Sequence, residues 1–261
     1  MIISSIGPWS IGGVMATVGQ DYFWYNTTIY FYLHFQYNAW LPLGLLGILL
    51  KILENKDIYI QKSDFSYFKK VMNASLILTF FISILFSKPP HEFYILSLFG
   101  CMLQFIVVSI FYRFIKKNKE KITSIFSPIA VWLLKWSGIS FVIKIVMQFF
   151  GSFPYIADLV TANKFLAIGF LHWIFLGVLT LALFALLEKS KLISVSKLNT
   201  TLYLLGFVFT EVAIFYQPFA LFFELKTGRI YYFALFIASI VLVISIALIT
   251  FSQLLKKDKA V

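Results

Sequence analysis

Apolar residues run along this chain in long blocks, separated by short stretches in which lysine recurs. A helix of roughly 20 apolar residues crosses the hydrocarbon core of a bilayer. The pattern predicts such spans at about 28–51, 71–87, 93–114, 126–150, 165–187, 201–224 and 230–255. A weaker candidate covers 2–19, where Gly7, Pro8, Gly12 and Gly13 lower helix propensity. No basic residue precedes that stretch, so it does not read as a secretory signal. The expected fold is all-α: a polytopic transmembrane helix bundle of seven or eight spans, forming one transmembrane domain over residues 1–261. No linker, low-complexity tract or internal repeat stands out.

Composition agrees with the pattern. The 261 residues are 61% hydrophobic and 13% charged. A soluble domain holds about 45–50% apolar and 25% charged residues, so the excess apolar surface requires a lipid phase. The single cysteine, Cys101, excludes an intramolecular disulfide and any cysteine-based zinc or iron–sulfur site.

Net charge is +11, and its distribution is ordered. Lys51, Lys56, Lys62, Lys69 and Lys70 follow the second span, counting 2–19 as the first. Arg113, Lys116, Lys117, Lys119 and Lys121 follow the fourth, and Lys189, Lys191 and Lys197 the sixth. Lys256, Lys257 and Lys259 end the chain. Those 16 cations fall on one side if every span crosses, against four (Lys88, Lys164, Lys226 and Arg229) on the other. The positive-inside rule then predicts a multi-pass membrane protein with a cytoplasmic C-terminus. With eight spans both termini are cytoplasmic. The same distribution argues against nucleic acid as a partner, because a nucleic-acid binder gathers its cations on one face or motif.

Ionisable groups at membrane depth are functional candidates by default. His34 lies about 9 Å into its span and His172 about 10 Å into its own, at 1.5 Å per residue, both from the outer side. Two imidazoles at one depth suit a bis-histidine haem b or a copper or zinc ion, with His91 of the outer SKPPHEF connection as a further ligand. Helix packing and proton relay are the competing roles. Tyr30, His34, Tyr37 and Asn38 share a helical face, so Asn38 or a tyrosine hydroxyl is expected to orient the His34 ring. Gly169 and Gly177 leave room beside His172 for a close helix or a flat cofactor. Deeper, Lys135 and Glu211 match in depth and are expected to form an ion pair or part of a proton path. Pro218 frees the carbonyl of Ile214 on the same helix. Lys144, Gln148 and Asp158 suit an outer vestibule or haem propionates, and otherwise read as ordinary boundary residues near the outer surface.

At YLHFQYNAW, GSFPYIADLV and IGFLHWIFLG the sequence resembles an uncharacterised family of polytopic membrane proteins, mostly from the Bacteroidetes. That family is distantly similar to subunit I of haem–copper oxidases and to NnrS-type haem and copper proteins. The resemblance spans most of the chain and implies a place in the bacterial cytoplasmic (inner) membrane, with His34 and His172 as metal-associated histidines. Ala39 stands where the family reads glycine, and the chain resembles the family's C-terminal portion, without the further N-terminal helices and their histidines. Three functions follow as expectations. The first is haem or metal binding in the outer half of the membrane. The second is a small-solute transporter or channel that uses the intramembrane Lys135–Glu211 pair. The third is a non-catalytic role beside a membrane protein partner or in a homo-oligomer. No complete catalytic set is visible.

Overall fold

The computed structural model describes residues 2–20 and 22–257, so Lys259 of the basic tail lies outside the described residues. Among them there is no strand. The first helix, α1 (Ile2–Thr17), precedes a long helix made of α2 (Tyr22–His34), a π-helical segment (Phe35–Trp40) and α3 (Leu41–Glu54). Next come α4 (Lys62–Thr79), continued by a 3₁₀ segment (Phe80–Ser87), then α5 (His91–Lys117) and the short α6 (Lys119–Ile125). After these lie α7 (Pro128–Gly151), the short α8 (Pro154–Ala162) and α9 (Lys164–His172). A second π-helical segment (Trp173–Thr180) joins α9 to α10 (Leu181–Lys189), and α11 (Lys197–Phe222) and α12 (Arg229–Lys257) complete the chain.

Seven of the resulting helices are long and apolar enough to cross a membrane, and they coincide with the seven predicted spans. The chain is thus a polytopic integral membrane protein. Helix α1 forms despite Pro8, but its 16 residues reach only about 24 Å at 1.5 Å per residue.

Local chemistry sets the boundaries. Asn163 caps α9 by accepting a hydrogen bond from Phe165 N, and Ser196 caps α11 by accepting one from Asn199 N. Pro128 and Pro154 open α7 and α8, where their missing N–H costs nothing. Left-handed residues follow helix ends at Asp57, Lys88, Lys191 and Glu224. Pro42, two residues into α3, lacks the N–H that Asn38 O would take, and its ring crowds that carbonyl. The helix answers with the π-helical segment ending at Trp40, in which Leu41 N–H reaches back five residues to Gln36 O.

Packing divides the chain, read from sequence as one transmembrane domain, into two compact units. One holds the residues up to Ile122 with Val142–Ala162; the other holds Thr123–Phe141 and the chain from Asn163 onward. In the first unit α4 packs on α5 so closely that a Cβ on Gly100 would lie 2.7 Å from Thr79 N. In the second, α11 packs on α12 with Gly206 at the contact, where a Cβ would lie 2.8 Å from Leu242 N. Small residues permit such approaches between helices in lipid.

The two units share an order of elements that the sequence does not display. Each has a helix interrupted by a π-helical segment directly after a histidine, His34 in one and His172 in the other. Each then has a tight helical hairpin. Its second helix begins 57 residues after the histidine, at His91 and at Arg229.

Candidate functional site

In the second unit, Asn163 starts α9, and His172 is its last residue. The facing helix α11 carries Glu211. His172 Nδ1 and Glu211 Oε1 are 2.6 Å apart, a short contact with one proton between them, as expected where an ionised group takes part. Glu211 is 3% exposed and His172 32% exposed. Glu211 Oε2 is buried and has no hydrogen-bond partner among the described residues. Among the described residues no group bonds His172 Nε2, so the ring presents an open nitrogen. A carboxylate on Nδ1 fixes both ring orientation and the tautomer.

The pair is framed by aromatic side chains. A Cβ on Gly169 would meet the Phe215 ring at 2.8 Å, and one on Gly177 the Phe207 ring at 2.6 Å. Both glycines therefore seat phenylalanines of α11. Trp173, next to His172, donates from Nε1 to Ser140 O at 2.9 Å and stands 5.2 Å from Phe207 between ring centres. Three carbonyls of the π-helical segment accept side-chain hydroxyls. Thr180 Oγ1 donates to Phe175 O at 2.8 Å, Tyr203 OH to Leu176 O at 3.0 Å, and Ser137 Oγ to Val178 O at 2.8 Å.

Glu211 was expected to face Lys135, and the structure gives it His172 instead. Lys135 is exposed, and none of the ion pairs among the described residues includes it. Helix geometry explains the difference. The buried positions of α7 nearest to it are Ala130, Leu133, Ser137 and Ser140, and Lys135 sits two residues from Ser137, about 200° around the helix. Matching depth does not make two side chains face one another.

In the first unit His34 is 1% exposed. Its Nε2 lies 2.9 Å from Leu76 O; a carbonyl only accepts, so Nε2 carries the hydrogen. Its Nδ1 accepts from Asn38 Nδ2 at 3.1 Å, with Ser83 Oγ at 3.5 Å. Asn38 is buried, Tyr37 half-buried with its ring centre 6.5 Å from that of His34, and Tyr30 exposed beside Phe86. His91 is exposed at the start of α5, near Tyr94.

The Leu76 carbonyl also receives Thr79 Oγ1 at 3.4 Å. Gln104 Nε2 donates to Thr79 Oγ1 at 3.5 Å, and Lys144 Nζ to Gln104 Oε1 at 3.4 Å. A polar chain thus runs from Asn38 through His34 and Gln104 to Lys144. Lys144 and Gln148, expected at the boundary, are 2% and 4% exposed. Asp158 is a surface residue paired with Lys88 at 3.6 Å. Gln104 and Thr79 are not distinguished in the sequence, because uncharged polar residues are common in spans; a lone glutamine within the apolar run of α5 is the available signal.

The chain matches no family model, no curated protein and no solved structure. For a haem or metal ion, the donors differ. His34 already uses both ring nitrogens, so it offers no lone pair in this conformation, whereas His172 Nε2 does. No cluster of three or more His, Cys, Asp or Glu residues suited to a metal occurs among the described residues.

Proposed function

We propose that this membrane protein moves a small solute across the bilayer and that the His172–Glu211 pair handles the accompanying proton. The observation that carries the reading is the 2.6 Å contact between a half-buried imidazole and a buried carboxylate within two membrane-spanning helices. Intramembrane carboxylates and histidines are the usual members of proton relays in transporters. Here Nδ1 and Oε1 already share a proton, while Nε2 is open to receive one. An imidazole donates from one nitrogen as it accepts at the other, so the ring can pass a proton to or from Glu211. The cation count on the two sides supports a cytoplasmic C-terminus.

The test is proton entry into liposomes holding the purified chain, read with an internal pH dye under a valinomycin-imposed potential. A panel of small solutes is added in turn. Flux several-fold above empty liposomes, lost in both Glu211→Gln and His172→Gln, is expected. Equal flux in the two variants and the parent would overturn the reading.

A second reading is favoured by the open Nε2. Histidine ligands commonly hold their other ring nitrogen on a carboxylate, which raises ligand basicity. His172 would then ligate a haem iron or a copper ion, supplying redox chemistry, with Glu211 as its orienting partner. Absorption spectra and metal analysis of protein grown with haem and copper separate the two readings. A Soret band or stoichiometric copper that disappears in His172→Ala supports this second one.

A further inference from the structure

His172 occupies the last α-helical position before the π-helical segment Trp173–Thr180. A π-helical turn bonds i to i+5 and so accommodates an extra residue. Each residue turns an α-helix by about 100°. Relaxing the segment to α-helical register would rotate α9 relative to α10 by about that angle and carry His172 off Glu211. The aim of the imidazole therefore depends on the π register downstream of it.

That register is held from outside the helix as well as from within. Leu176 O takes the hydroxyl of Tyr203 on α11, and Val178 O takes the hydroxyl of Ser137 on α7. Tyr203 is fully buried and Ser137 is 7% exposed, so neither hydroxyl has water as a ready alternative. Side-chain donors on helix carbonyls compete with the ordinary i to i+4 ladder. Thr180 adds a third such bond to Phe175 O from within the same segment. The first unit also has a π-helical segment directly after its histidine, where Pro42 supplies the reason for the π turn; the second unit has no proline in that position.

We propose that Ser137 and Tyr203 are positioning residues for the His172–Glu211 pair, acting through the π-helical segment. Their hydroxyls hold the Val178 and Leu176 carbonyls in the π register, and that register turns His172 onto Glu211. The functional meaning of the proposal rests on the pair being the working site; the positioning itself does not.

The experiment is NMR of the full chain in lipid nanodiscs with ¹⁵N-labelled histidine rings. Three histidines give three ring systems, assigned through His172→Gln and His91→Gln. In the parent, the proton shared by His172 Nδ1 and Glu211 gives a strongly downfield resonance that Glu211→Gln removes. Ser137→Ala with Tyr203→Phe is expected to abolish that resonance while leaving the His34 signals in place. Ser137→Thr, which keeps a hydroxyl, is expected to retain it. A downfield resonance that survives in the double variant overturns the proposal, whatever happens to thermal stability. Should the double variant not fold, Ser137→Ala alone is read, and an unshifted resonance there overturns the proposal equally. A lost resonance together with unchanged liposome flux would leave the positioning role standing and sink the transport reading.

Discussion

His34 and His172 hold equivalent places in their own units. Each is the last residue before a π-helical segment. Each also hydrogen-bonds the fifteenth residue of the next long helix, Leu76 in α4 and Glu211 in α11. The partners differ in kind. His34 meets a main-chain carbonyl, which cannot exchange a proton, and its second nitrogen is closed by Asn38. His172 meets a carboxylate, and its second nitrogen is open. One local architecture thus carries a locked imidazole in one unit and a proton-competent imidazole in the other.

The locked ring should act on stability. His34→Ala removes one of two side-chain donors from Leu76 O, which keeps Thr79 Oγ1, and takes the acceptor from buried Asn38 Nδ2. Leaving buried polar groups unpaired costs about 1–3 kcal/mol. A clear drop in the thermal midpoint in detergent is expected. Liposome proton flux should remain in whatever fraction stays folded. Abolished flux in well-folded His34→Ala would place His34 in the transport path.

The coupling between His172 and Glu211 can be measured separately from activity. A double-mutant cycle of His172→Gln and Glu211→Gln on unfolding free energy isolates the pair. Intramembrane hydrogen bonds give about 0.6 kcal/mol on average in such cycles, reaching about 1.7. The short contact to a carboxylate puts this pair at the upper end. A coupling indistinguishable from zero would mean the two side chains do not meet in the membrane.

How much of this was legible in the sequence follows from what a span records. An apolar run registers length and depth, so the seven crossings, the rarity of His34, His172 and Glu211, and the approximate depth of each could be read directly. Azimuth was not recorded. Lys135 and Glu211 match in depth yet point apart, because Lys135 lies across α7 from buried Ser137. The π-helical segments compound the problem, since each resets the facing of every residue before it. Pro42 hints at the first segment, while the second has no comparable mark. Lys144 looked like a boundary residue because a lysine near a span end usually reaches toward the interface. It is buried instead and donates to Gln104, 40 positions away in the chain.

Glycines at the two hairpin contacts should tolerate no side chain. At Gly100 and Gly206 the added Cβ would press on backbone atoms, Thr79 N and Leu242 N, which cannot move without parting the helices. Overpacking of that kind costs about 1–3 kcal/mol. Gly100→Ala and Gly206→Ala are each expected to lower the midpoint of thermal unfolding in detergent. Gly44 and Gly138 are the controls: a Cβ there meets nothing within 4 Å. Alanine in a helix interior is favoured over glycine by about 0.5–1 kcal/mol, so Gly44→Ala and Gly138→Ala should hold or raise the midpoint. Equal behaviour of the two sets would contradict the close approach of α4 to α5 and of α11 to α12.

The connections between spans predict a pattern of chemical access. The native thiol Cys101 is fully buried, so the chain has a low background for labelling by a membrane-impermeant maleimide. Single cysteines placed at Lys56, Asn118 and Lys191 lie in connections that alternate with those containing Lys88, Asp158 and Lys226. Seven crossings put the first three on one face of the membrane and the second three on the other. The cation excess assigns the first set to the cytoplasm. In intact cells the reagent should therefore modify Cys at 88, 158 and 226. Positions 56, 118 and 191 should react only after permeabilisation. The third member of each set is the informative one. An error in any one crossing from α4 onward reverses the accessibility of every later connection, so agreement at 191 and 226 tests all the preceding spans together. Labelling of 56 and 191 from opposite sides would remove a crossing and with it the parallel placement of His34 and His172 in their helices.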